Sequence, residues 1–356
     1  MIEIDRIELE SSMLEILNAW RNGQKPQITD LAVLEQWELS DHQRSTAFGI
    51  TPENVRVKIE ARSHLFCQLQ QQKIQFPLLF EQLETLWKFW LPLATQLAEH
   101  RQGLDRPLVQ GILGGQGTGK TTLGKVLTYI LSLFHYDTFS LSLDDLYKTY
   151  SERQQLQKAD PRLIWRGPPG THDLELGIQV LEQLRQPLPG QTIAIPRFDK
   201  SLWQGAGDRI SPEFVTGIDI ILFEGWFVGC QPIDPQLFDF PPVPIMTPSD
   251  QQFARDMNEQ LNHYLPLWEK LDRLLILNPV DYHLSKQWRI QAEQDMINTG
   301  KSGMTDAEIS QFVDYFWKAL HPELFINSLI KNPDFVDLII DINPDHSVGT
   351  IYKVNV

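Results

Sequence analysis

The chain has 356 residues, with 31 Lys and Arg against 46 Asp and Glu, a formal net charge of −15. A chain this acidic repels a phosphate backbone, which argues against nucleic acid as a partner and leaves anionic small molecules to be held by local clusters of cations. Its two cysteines, Cys67 and Cys230, stand in unrelated segments, which excludes a disulfide framework and a cysteine zinc site, and no stretch approaches the ~20 apolar residues of a membrane span.

Residues 1–10 alternate apolar with charged side chains, without the basic start or apolar core of a signal peptide or the Arg and Ser of a transit peptide. The expectation is a cytoplasmic protein with reduced thiols and no membrane partner. Residues 1–103 read as an N-terminal helical region. Apolar residues at three-and-four spacing mark 14–20 and 79–100, and Pro92 should kink or split the second run. No chemistry is assigned to this region.

From residue 104 the texture changes to short Ile-, Val-, Leu- and Phe-rich runs alternating with helical stretches, at 108–113, 138–143, 192–195, 218–223, 274–277 and 338–340. Runs of this kind, bounded by Gly, Pro, Asp or Asn, predict strands buried on both faces of a mainly parallel sheet flanked by helices, an α/β fold. Residues 241–330 are mostly helical and form an elaboration before the last strand. The expected division is therefore 1–103 and 104–356.

Gly114-Gly115-Gln116-Gly117-Thr118-Gly119-Lys120-Thr121 has the full spacing of a P-loop, between an apolar run and an amphipathic helix. Glycines let the main-chain N–H groups of 115–122 turn onto phosphate oxygens, and the helix N-terminus adds partial positive charge. ATP is the expected ligand on Gly115, Gln116, Gly117, Thr118, Gly119, Lys120, Thr121 and Thr122. Lys120 should reach the β- and γ-phosphates and Thr121 should ligate Mg²⁺. The run at 218–223 ends in Glu224, at the sheet edge where ligands of open α/β sheets bind. It is expected to hold Mg²⁺ directly or through water. The run at 138–143 ends in Asp144 and Asp145, either of which could accept the proton of an attacking hydroxyl.

The segment Trp165-Arg166-Gly167-Pro168-Pro169-Gly170-Thr171-His172-Asp173 is dense in turn formers and polar groups, and Thr171 or Asp173 could cap the helix that follows. Arg166, Arg197, Lys200 and Arg209 cluster in an otherwise acidic chain and suggest a local anion site. His172, Asp173 and Asp199 lie in the same polar segments.

The P-loop, the Asp144-Asp145-Leu146-Tyr147 strand end and Phe223-Glu224-Gly225 together resemble the P-loop small-molecule kinases that include uridine kinase, phosphoribulokinase and pantothenate kinase. In that group the Asp of an Asp-x-(Phe/Leu)-Tyr motif is the base, which by resemblance is Asp144. The segments at 166–173, 196–201, 205–209 and 223–226, with Gly300-Lys301-Ser302-Gly303-Met304-Thr305-Asp306, are similar to plant- and cyanobacterial-type D-glycerate 3-kinases over roughly residues 105–345. That resemblance implies ATP-dependent phosphorylation of the 3-hydroxyl of D-glycerate in photorespiratory salvage. The expected substrate contacts are Arg166, His172, Asp173, Arg197, Asp199 and Arg209, with Arg197 and Arg209 clamping the carboxylate. A helical lid, at the corresponding place in P-loop kinases, implies Arg289 as a phosphate ligand, with Lys286 second. A kinase of another small alcohol (a nucleoside, a sugar or pantothenate) and a P-loop ATPase or nucleotide switch are the alternatives.

Overall fold

The computed structural model describes residues 6–72, 75–298 and 304–354. Residues 1–5, which open the segment read for a leader, and 299–303, which hold Gly300, Lys301, Ser302 and Gly303 of the similarity motif, lie outside the described residues, as do the side chains of 296–298.

Six strands form the main sheet in the order β2-β5-β1-β6-β7-β8. They are β1 (Leu108–Gly114), β2 (Thr138–Ser142), β5 (Ile220–Gly225), β6 (Arg273–Pro279), β7 (Leu338–Ile342) and β8 (Val348–Tyr352). All neighbours pair parallel except β7 and β8. The period-two geometry of a strand sends alternate side chains to opposite faces. Leu108, Ile112, Ile220, Leu222, Leu275, Leu277, Leu338 and Ile340 join a core under the helix Lys120–Ser132 and the N-terminal helices. Val109, Leu113, Ile221, Phe223, Leu274, Ile276 and Ile339 join a second core under the helices Leu174–Arg185, Pro248–Gln260 and Asp306–Ala319. Both faces are dry, so these strands read as continuous apolar runs.

One expected strand belongs elsewhere. The run at 192–195 starts β3 (Ile193–Asp199), which leaves the main sheet and pairs antiparallel with β4 (Asp208–Val215) in a two-stranded ribbon. Its outer face is wet, with Ile210 and Phe214 exposed, and its Asp199 end leads into the loop that carries Lys200. Sequence reading missed β4 and β8. In the N-terminal region, the run at 79–100 is interrupted as Pro92 predicted. A π-helical turn, Leu86–Trp90, precedes Leu91–Gln102, which has Pro92 in its first turn, and the Leu91 N–H donates to Leu86 O. The wider turn lets the chain pass a residue that has no N–H to give. These helices share one core with the sheet.

Candidate active site

The three strands β2, β5 and β1 are neighbours, and register sets their C-terminal ends level. Ser142 of β2 pairs with Glu224 of β5, which pairs with Ile112 of β1. Two residues beyond Ser142 stands Asp144; two beyond Ile112 the P-loop begins at Gly114. Parity carries Glu224 to the side of the P-loop helix, because Ile220 and Leu222 face that core. The Thr121 hydroxyl donates to Glu224 Oε1 at 3.2 Å.

Gly117 and Gly119 have φ of +79° and +87°, the left-handed region that side chains disfavour, and Gly119 caps the helix Lys120–Ser132. A Cβ on Gly117 would stand 2.6 Å from Trp288 Cβ, and one on Gly115 2.9 Å from Ser285 Oγ. The helix Leu284–Asn298 therefore rests directly on the loop. Inside the loop the Thr118 hydroxyl donates to Gly115 O at 2.9 Å. Lys120 Nζ donates to the same oxygen at 2.9 Å. Burial pushes the Lys120 ammonium below its ordinary pKa, against the pull of Glu224 and Asp144. Burial pushes the Glu224 carboxyl up, against Lys120 and the Thr121 hydrogen bond. Gln116 Oε1 is buried without a partner among the described residues.

The two acids after β2 have different surroundings. Leu143–Leu146 is a 3₁₀ turn. Asp145 closes its capping box, accepting the Ser142 N–H at 3.1 Å, and is paired with Arg197 Nη1 at 2.7 Å. Burial raises its pKa in spite of Arg197. Asp144 instead meets Lys200 Nζ at 2.6 Å and a hydrogen bond from Tyr147. Burial works to raise its pKa, but Lys200 and Tyr147 outweigh it and hold the carboxyl below the usual Asp value.

His172 stacks on Tyr147, with ring centroids 4.6 Å apart. Tyr264 accepts the Gly170 N–H at 2.9 Å, and its hydroxyl stands 2.7 Å from His172 Nδ1. The other ring nitrogen, Nε2, is buried with no partner among the described residues. Burial pushes the imidazole pKa down to about 3, so the ring is neutral. Asp173 caps the helix Leu174–Arg185 by accepting the Leu176 N–H and pairs with Arg209 Nη2 at 2.8 Å.

The remaining candidates are engaged within the protein. Arg197 also pairs with Glu213 at 2.7 Å. Arg209 Nε donates to Tyr147 O at 2.9 Å. Arg166 donates to Gly205 O at 2.6 Å and to Ala206 O at 3.2 Å. Asp199 turns back on Ser201, accepting from its N–H and hydroxyl at 2.8 and 2.6 Å. Arg289 pairs with Glu293 at 2.8 Å and, with Arg166, lines a cavity of about 660 Å³ beside Trp165. Lys286 ties the helix Leu284–Asn298 to Asp314 of Asp306–Ala319 at 2.7 Å. The structure thus brings Lys120, Thr121, Asp144 and Glu224 together, and adds Tyr147 and the Lys200–Asp144 contact. Tyr147 was visible only as a motif letter; its hydrogen bond to Asp144 is tertiary.

A P-loop at the C-terminal edge of a parallel sheet, with carboxylates at the end of β5 and just beyond the end of β2, defines a P-loop nucleotide-binding protein. No family model matches the chain. It is 32% identical to the chloroplastic D-glycerate 3-kinase of Arabidopsis thaliana over 328 residues, covering 84% of this chain and 69% of the relative. An uncharacterized kinase of Schizosaccharomyces pombe is 30% identical, covering 67% of this chain and 89% of the relative. The solved D-glycerate 3-kinase of Cryptococcus neoformans superposes with a TM-score of 0.65 at 29% identity, covering 73% of this chain and 95% of that one. The chain belongs to the D-glycerate 3-kinase family.

Proposed function

We propose that the protein transfers the γ-phosphoryl group of ATP to the 3-hydroxyl of D-glycerate, giving 3-phosphoglycerate. The observation that carries this reading is the meeting of Lys120, the Thr121–Glu224 contact and Asp144 at three adjacent strand ends, in a chain that shares 32% identity with a D-glycerate 3-kinase.

The main-chain N–H groups of 115–122 bind the phosphates, and Lys120 exchanges Gly115 O for phosphate oxygens. Thr121 and Glu224 offer two hard oxygen donors 3.2 Å apart, which suits an ion that keeps most of its ligands as water and phosphate oxygens. They are the residues that would hold Mg²⁺, and the ion supplies neutralisation of phosphate charge. Asp144, held ionised, accepts the proton of the acceptor hydroxyl as that oxygen bonds to the γ-phosphorus. The bridging oxygen–phosphorus bond breaks and its electron pair leaves on ADP. Arg289 is assigned to the phosphates, and His172 and Asp173 to the acceptor pocket. The same reading assigns the enzyme to photorespiratory salvage, supported by the family resemblance alone.

The test is ADP production by the purified protein with ATP, Mg²⁺ and a panel of D-glycerate, glycerol, uridine and pantothenate. D-glycerate should be preferred. Preference for another acceptor, or steady ATP hydrolysis indifferent to all of them, would contradict the reading.

A further inference from the structure

We propose that Lys200, in the loop after β3, is the anchor for the substrate carboxylate, and that it becomes so by leaving Asp144 when substrate arrives. This deepens the glycerate reading and rests on it.

Lys200 sits at the reacting centre. Its ammonium is 2.6 Å from Asp144 Oδ2, and its charge is felt at both Lys120 and Glu224. It is also the cation there that is cheapest to redirect. Its side chain is 60% exposed, and its ion-pair partner among the described residues is Asp144. Lys200 can swing into water, and Asp144, 29% exposed, keeps Tyr147 as a donor and gains the substrate hydroxyl in exchange. The neighbouring arginines are committed. Arg197 bridges Asp145 and Glu213. Arg209 joins Tyr147 O to Asp173. Arg166 is spent on the carbonyls of Gly205 and Ala206. Arg153 is spent on those of Lys148, Ala206 and Gly207. Redirecting any of these onto a ligand would strip partly buried partners of a charged hydrogen bond, which is expensive.

The pair also matches the chemistry of a hydroxy acid. A molecule carrying a carboxylate and a hydroxyl a few bonds apart can enter between the two groups, its carboxylate taking the ammonium and its hydroxyl taking Asp144. A neutral alcohol can satisfy only one of them. Asp144 then loses the cation that holds its carboxyl acidic at the moment a hydroxyl is presented to it, and becomes a stronger proton acceptor. Binding of the acid and readying of the base are one exchange of partners, and an acceptor without a carboxylate leaves the base neutralised.

The experiment is steady-state kinetics of the wild type, Lys200→Met and Lys200→Arg with ATP and either D-glycerate or glycerol, across pH. Lys200→Met should cut the preference in kcat/KM for D-glycerate over glycerol by roughly 10- to 150-fold, the value of one charged hydrogen bond. Lys200→Arg should restore part of it, and KM for ATP should stay put in both. In the wild type the acidic limb of kcat should lie at higher pH than that of kcat/KM, because Asp144 has lost Lys200 only in the complex. In Lys200→Met the two limbs should coincide. A wild type that uses D-glycerate, with an unchanged preference in Lys200→Met, would overturn this proposal and leave the glycerate reading standing. So would a loss of ATP affinity matching the loss of glycerate affinity. A wild type inactive on D-glycerate would overturn both.

Discussion

Asp144 and Asp145 are adjacent in sequence, and the structure gives them separable roles, so exchanging each for asparagine should injure different properties. Asp144 is partly exposed and its ion partner Lys200 is more so, which makes their pair worth little to the fold. Asp144→Asn removes the proton acceptor while keeping shape, and should lower kcat by ~10²–10⁴. Nucleotide affinity and thermal midpoint should change little. Asp145 is 9% exposed and accepts both the Ser142 N–H and the Arg197 guanidinium. Asparagine there keeps one acceptor but loses the charge, leaving Arg197 with Glu213 alone. Weakening a charged, part-buried hydrogen bond costs ~1–3 kcal/mol, which for a chain of this size is a drop of roughly 1–4 °C in Tm. Turnover of the folded Asp145→Asn enzyme should stay well above that of Asp144→Asn. Initial rates at saturating ATP and a thermal melt on the same two preparations decide it. If Asp145→Asn is the catalytically dead variant and Asp144→Asn turns over normally, the base has been assigned to the wrong carboxylate.

Lys120→Ala should abolish phosphotransfer while the circular dichroism spectrum stays native, since the loop is shaped by its glycines and the Thr118 hydrogen bond. Near-normal turnover would contradict the phosphate role. Glu224→Gln should raise the Mg²⁺ concentration needed for half-maximal rate more than it raises KM for D-glycerate, as a titration of the metal would show; equal effects would remove Glu224 from the metal site. Activity should be indifferent to thiol oxidants, because Cys230 is buried with its thiol pKa raised by that burial, and Cys67 lies in the N-terminal helices. Reversible inactivation that vanishes in Cys67→Ser or Cys230→Ser would refute this.

Much of the fold was legible because burial on both sheet faces writes itself as apolar runs, and the P-loop writes itself as glycines between a strand and a helix. The run that begins β3 looks the same, yet its partner settles its place. β4 carries Asp208, Arg209, Ser211, Pro212 and Glu213, a composition that hides a strand but suits a two-stranded ribbon open to water. β8 is a five-residue antiparallel edge strand, too short to announce itself. In the site, Lys120, Thr121, Asp144 and Glu224 were legible as candidates because each stands at a strand end or a helix start. The partner choices were not. Arg197 with Asp145 and Lys200 with Asp144 tie the ribbon and its loop to the turn after β2, and Arg209 with Asp173 ties the ribbon to the start of the helix Leu174–Arg185. A cluster of basic residues in sequence shows that charge gathers there, and only the packed ribbon decides which of it is left for a ligand.

The central claim is that this site phosphorylates D-glycerate at its primary hydroxyl, with Asp144 accepting that hydroxyl's proton. Proton-coupled phosphorus NMR of the product formed from ATP and D-glycerate tests it most directly, because a C3 ester couples to two methylene protons and a C2 ester to one. The account predicts a single product resonance split by two protons, that of 3-phosphoglycerate. A resonance split by one proton, or inorganic phosphate in place of any ester, would contradict it.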